Sequence, residues 1–205
     1  MGRFLAAMLV AVALASCQNE THAVFSPVPS PTPHTEATAA ILQSSDVPAG
    51  LDVCLGSGPI DVYLAVLAGT DAALAGRENE QWRQLRSQGA KSGAISVFTS
   101  NPSSCSAEFG AASSVKGITS FVAQFGDEAQ ADVAWQAGVF GFVPPPPGQL
   151  TTGLARGTST GLGLSSFTYD RPSVRLASWR RSVFVALVVV SNMDQTAFRA
   201  ATGAV

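Results

Sequence analysis

The sequence predicts an α+β domain built on a single antiparallel sheet of four to six strands, with helices mainly on one face. Three observations point there. Helix-period segments dominate the first half of the chain and strand-period segments the second. The late strand runs are separated only by short polar turns, which makes successive strands antiparallel neighbours. The run at 183–190, VFVALVVV, is apolar at every position. It therefore reads as a central strand covered on both sides, and it is too short to span a bilayer.

The elements follow in chain order. Asp46-Val47-Pro48-Ala49-Gly50 reads as a turn, and 51–55 as a short extended segment carrying Cys54. Ile60, Tyr63, Leu64 and Leu67 fall at i, i+3, i+4 and i+7, one face of a helix that Gly69 should stop. Residues 78–88 form a second helix, with Trp82 and Leu85 on one side and Gly89 at its C-terminal end. A strand is expected over 94–99. Asn101-Pro102-Ser103 can start a short helix that holds Cys105 and Phe109, and a longer strand follows over 115–125. Asp127 is a good N-cap for a helix over 128–137, with Ala129, Val133 and Trp135 on its buried side. After the loop Pro144-Pro145-Pro146-Pro147-Gly148 come strands over 162–169, 174–180 and 183–190, then a last helix over 194–201.

The N-terminal stretch has a different composition. Arg3 precedes an apolar run from Phe4 to Leu14, then Ala15, Ser16 and Cys17. A run of about 11 residues suits an export signal and is too short for a membrane span. Leu14-Ala15-Ser16-Cys17 resembles the lipobox of bacterial lipoprotein precursors. The resemblance implies a diacylglycerol on the Cys17 thiol and cleavage before it, so that 1–16 is the signal peptide. The blander reading is an ordinary secretory signal cut near Ala15. Gln18 stands where Asp would favour inner-membrane retention in that family. The implied address is the outer face of the cell membrane, or the outer membrane where the organism has one. Residues 17–40 then form a lipidated Pro/Ser/Thr-rich tether, and 41–205 a single folded domain. A polyproline-like stretch of 20 such residues would reach roughly 60 Å.

The chain carries 12 basic and 14 acidic residues. This balance, without a basic run, argues against nucleic acid as a partner. Of its three cysteines, Cys54 and Cys105 remain once Cys17 is lipidated. In an oxidising compartment they are expected to pair, the alternatives being a catalytic thiol or a metal site. The two histidines are His22 and His34, both in the tether. A folded domain without histidine cannot hold a Ser-His-Asp triad or a histidine-ligated metal. No cofactor or metal is expected. Carboxylates such as Asp127, Glu128 and Asp132 read as caps or solvated surface.

The glycines at 153, 157, 161 and 163 lack the GK[ST] ending and the strand-then-helix setting of a phosphate loop. They read as turns and close backbone approaches, with a ligand rim at Arg156 as the functional alternative. Trp179-Arg180-Arg181 sets an aromatic ring beside two guanidiniums, a pattern suited to an anionic or sugar ligand. Its alternative is a core tryptophan before a hairpin turn. Phe140 and Phe142 are candidates for an exposed interface patch, or for burial. The Phe125-Gly126-Asp127-Glu128-Ala129 junction, the glycines before Gly161-Leu162-Gly163 and the Trp179-to-Val190 strand pair resemble small sensor-type domains of mycobacterial and related lipoproteins. That resemblance implies a non-catalytic extracytoplasmic domain and transfers no site residues.

The expected function is a membrane-anchored envelope lipoprotein that binds a protein partner or a small envelope ligand. The alternatives are a carboxylate-based glycan hydrolase and a structural accessory lipoprotein. Replacing Cys17 with Ser should move the protein from the membrane fraction to the soluble fraction. Continued sedimentation with membranes would sink the lipid-anchor expectation.

Overall fold

The computed structural model describes residues 36–105, 114–149 and 151–205. The signal peptide, Cys17, both histidines, most of the tether and Phe109 lie outside these residues. Helix α1 is Ala37–Ala40 and strand β1 Asp52–Val53. Strand β2 is Gly58–Pro59, followed by helices α2, Ile60–Thr70, and α3, Ala72–Ser87. Strands β3, Ala90–Thr99, and β4, Gly117–Phe125, lead to α4, Glu128–Ala137. Strands β5, Leu154–Arg156, β6, Ser166–Arg171, β7, Val174–Arg181, and β8, Phe184–Ser191, precede α5, Gln195–Ala204.

All pairings are antiparallel, in one sheet of order β1-β3-β4-β8-β7-β6-β5, with β2 also on β3. The α+β class and the single antiparallel sheet are as expected; the strand number among the described residues is eight rather than four to six. The short extended segment expected at 51–55 is β1; the additional strands β2 and β5 are only two and three residues long. Segments that short carry no period-2 pattern and are fixed by the neighbour they pair with.

The periodic elements form where the pattern places them. Ile60, Tyr63, Leu64 and Leu67 are all buried. Asp71 caps α3 by accepting from the Leu74 amide at 2.9 Å, so that helix starts at Ala72, well before residue 78. Asp127 caps α4 through the Gln130 amide at 2.8 Å. The buried side of α4 is Ala131, Ala134 and Trp135; Val133 is 60 % exposed and Ala129 is also exposed, against expectation. The sheet decides which stripe of a short mixed helix faces inward. Beside that stripe, Arg180 on β7 pairs with Asp132 at 3.1 Å.

β8 sits between β4 and β7 and is buried along almost its whole length. Its side chains alternate between two cores. Val185, Leu187 and Val189 join α2, α3 and α4. Ala186, Val188 and Val190 join Ala37 of α1 and Phe198 and Ala201 of α5. The helices are thus divided three to two between the faces, so the second face is covered more fully than expected. Packing also begins at Ala37, ahead of the boundary expected at Ile41: Ala37 is 1 % exposed and Leu42 likewise. A buried hydroxyl pair docks this segment. Ser120 accepts the Leu42 amide at 2.9 Å and lies 2.8 Å from the Ser96 hydroxyl.

Cys54 and Cys105 form a disulfide across a sequence separation of 51 residues. It ties the loop after β1 to the short 3₁₀ turn Pro102–Ser104, where Asn101 accepts the Ser103 amide at 3.2 Å. By loop-closure entropy such a bridge stabilises the fold by about 4 kcal/mol. The Cys54→Ser/Cys105→Ser double variant should lose stability of that order in urea unfolding under non-reducing conditions, and a loss below about 1 kcal/mol would show the loop is held by other contacts.

Candidate functional site

The far side of the first face is covered differently from its centre. α2 and α3 contribute Tyr63, Leu67, Trp82 and Leu85 to the core on this face, and α4 contributes Ala131, Ala134 and Trp135. α4 ends at Gly138, which adopts φ +101°. A Cβ there would sit 2.8 Å from Val143 Cγ2 and 3.1 Å from the Phe142 carbonyl oxygen, so glycine alone permits the chain to fold back. The chain then makes a two-residue turn. Val139 and Phe142 exchange backbone hydrogen bonds of 3.2 and 2.9 Å, with Phe140 at φ 47° and Gly141 at φ 82°. Two successive positive φ values describe a type I′ geometry, which a bulky residue such as Phe140 adopts only under constraint. The constraint is visible: the Phe140 ring stands edge-on to Phe121 with centroids 4.7 Å apart.

This turn carries Phe142 over the sheet, where it roofs a pocket of about 330 Å³. The floor is one cross-strand row. Leu154 pairs with Tyr169, Tyr169 with Leu176, and Leu176 with Val189, so four strands place four side chains side by side on the same face. Phe167 closes one end. Leu176, Val189 and Phe167 are nearly fully buried, whereas Leu154, Tyr169 and Phe142 keep partial access to solvent. The phenol of Tyr169 is the only polar side-chain group among these six residues.

The residues singled out from sequence do not form one site. Arg156 lies at the end of β5; its guanidinium donates to the Pro145 carbonyl and stands 5.7 Å from the Trp135 ring centroid. It fastens the proline loop to α4. Arg180 pairs with Asp132 at 3.1 Å, is 4.0 Å from Glu128, and donates to the Ser182 carbonyl at 3.2 Å. Strand alternation sends Trp179 and Arg181 to the opposite face. There Trp179, 6 % exposed, belongs to the second core. Both line an open groove of about 480 Å³ at the C-terminal end of α5. Phe140 packs on the first core; Phe142 is half-buried at the pocket.

Several carboxylates have structural partners. Asp71, Asp127 and Asp194 cap helices. Asp61 accepts from the Trp82 indole at 3.1 Å, and Asp170 pairs with Arg175 at 2.9 Å. The glycines after residue 150 serve backbone geometry. At Gly153, φ is +85° and a Cβ would lie 2.4 Å from the Asp170 carbonyl oxygen. Asp170 in turn donates its amide to the Gly153 carbonyl at 2.8 Å, the contact that brings β5 onto β6.

Sequence reasoning passed over the pocket floor. The usable signal was the alternation in SFTYDR, residues 166–171, which sets Phe167, Tyr169 and Arg171 on one face of β6. No family model, curated protein or solved structure matches the chain.

Gly153→Ala should lower unfolding free energy by about 1–3 kcal/mol, the scale of one forced positive-φ residue, with the close approach adding to it. Urea melts that left the midpoint unchanged would show that β5 is not held by this contact.

Proposed function

We propose that the protein is an exported, membrane-tethered envelope lipoprotein whose folded domain is a non-catalytic binding module, with the pocket beneath Phe142 as its ligand site. The pocket carries the reading. Small-molecule sites are concave, mostly apolar and roughly 300–1,000 Å³ in size, and this one is about 330 Å³ with an apolar floor. A well-filled sheet face would leave no such space, because interiors pack to crystal-like density. The strained Phe140-Gly141 turn that holds its roof supports the same reading, since backbone strain concentrates at ligand clamps.

Two further observations support the address. The disulfide is compatible with an oxidising compartment. No helix among the described residues is long and apolar enough to cross a membrane. In this reading attachment rests on lipid at Cys17.

The test is titration of the full-length Cys17→Ser protein with N-phenyl-1-naphthylamine, an uncharged apolar dye that fluoresces on leaving water. Saturable enhancement is expected. Leu154→Trp, at the half-buried edge of the floor, should abolish it while circular dichroism stays native. No enhancement, or enhancement unaffected by a folded Leu154→Trp protein, overturns the assignment of this pocket.

A further inference from the structure

The pocket has a polarity gradient along one strand. Phe167, Tyr169 and Arg171 occupy alternate positions of β6 and so share its pocket-facing side. Phe167 is 4 % exposed and apolar. Tyr169 is half-buried and lines the pocket. Arg171 is exposed. Its Nε donates to the Tyr169 hydroxyl at 3.0 Å, and its guanidinium carbon stands 5.3 Å from the Tyr169 ring centroid. The cation is therefore held beside the pocket rather than swinging free.

No carboxylate neutralises it among the described residues. Asp170, the adjacent acid, points to the other face and pairs with Arg175 at 2.9 Å. Arg180 on β7 is likewise matched by Asp132. The groove containing Arg181 offers a weaker case for an anion, because it lies at the C-terminal end of α5, where the helix dipole repels negative charge.

Resting on the binding-module reading, we propose that the pocket takes a single-chain anionic amphiphile. The hydrocarbon chain would lie on the Leu154–Tyr169–Leu176–Val189 row beneath Phe142, and the carboxylate or phosphate head would pair with Arg171. At about 330 Å³ the space is at the small end for ligand sites and suits one chain rather than a two-chain lipid. Tyr169 is the hinge of the arrangement: its ring contacts the chain and its hydroxyl orients the guanidinium.

Displacement of the bound dye from the full-length Cys17→Ser protein tests this. The competitors are decanoate, decyl phosphate, 1-decanol and decyltrimethylammonium, each below its micellar concentration. The two anions should displace dye at concentrations about fivefold lower than decanol, the size expected of an ion pair at a wetted rim. The cation should be the weakest competitor, and the anion preference should shrink as salt rises. Arg171→Gln should bring decanoate to the level of decanol, both read as displacement relative to that variant's own dye binding. A larger effect for decanoate than for decyl phosphate would favour a fatty acid over a phosphorylated head. Equal displacement by decanol and decanoate, or an anion preference that survives Arg171→Gln, overturns the charge assignment and leaves the apolar site standing. Absence of dye binding, or displacement by none of the four, overturns the pocket reading and this inference with it.

Discussion

The rest of the structure depends on one constraint: β8 is apolar on both of its faces. A strand that alternates Val185, Leu187 and Val189 with Ala186, Val188 and Val190 cannot lie at an edge or face water on either side. β4 shares the property, with Phe121 and Ala123 toward one core and Ile118 and Val122 toward the other. The sheet must therefore be a middle layer. Each of the five α-helices among the described residues packs against it.

The two covers are made from different parts of the chain. On the first face α2 and α3 are consecutive and α4 follows after β3 and β4, and the disulfide ties the loop before α2 to the turn after β3. On the second, α1 and α5 come from opposite ends of the folded region and share one core. The Ser96–Ser120 pair marks the junction. Two buried hydroxyls in a largely apolar face are tolerable because they bond each other, and Ser120 also takes the Leu42 amide. The polar contact thus fixes where the incoming segment lands, while apolar burial supplies the stabilisation.

Cover on the first face is uneven, and the pocket is the consequence. Once α4 ends at Gly138, a two-residue turn and a proline loop replace a helix over β5, β6 and the outer part of β7. A turn presents one large side chain, Phe142, where a helix would present a stripe. Arg156 compensates in part by donating to Pro145 of the loop while its guanidinium stands over Trp135 of α4. The strain at Phe140 persists because its ring is locked against Phe121. Rigid surroundings holding an incompletely filled apolar space are the setting in which a ligand can add burial without first paying to order the protein.

By itself the sequence determined what local chemistry controls. Hydrophobic period placed α2 and the β7–β8 pair. Asp127 capped α4 at the expected residue, and cysteine number led to the Cys54–Cys105 bridge. Local pattern did not carry β2, β5 or the inward stripe of α4, since each is set by a partner distant in sequence; the early start of α3 was missed although its cap, Asp71, is a local one. The candidate site was the least legible part. Trp179, Arg180 and Arg181 are neighbours in the chain, yet a period of two sends them to opposite faces, and the nearest cation is consumed by Asp132. Leu154, Tyr169, Leu176 and Val189 look unrelated in the chain but form one row. Only tertiary structure decided that, because strand register depends on which surfaces find cover and at what spacing.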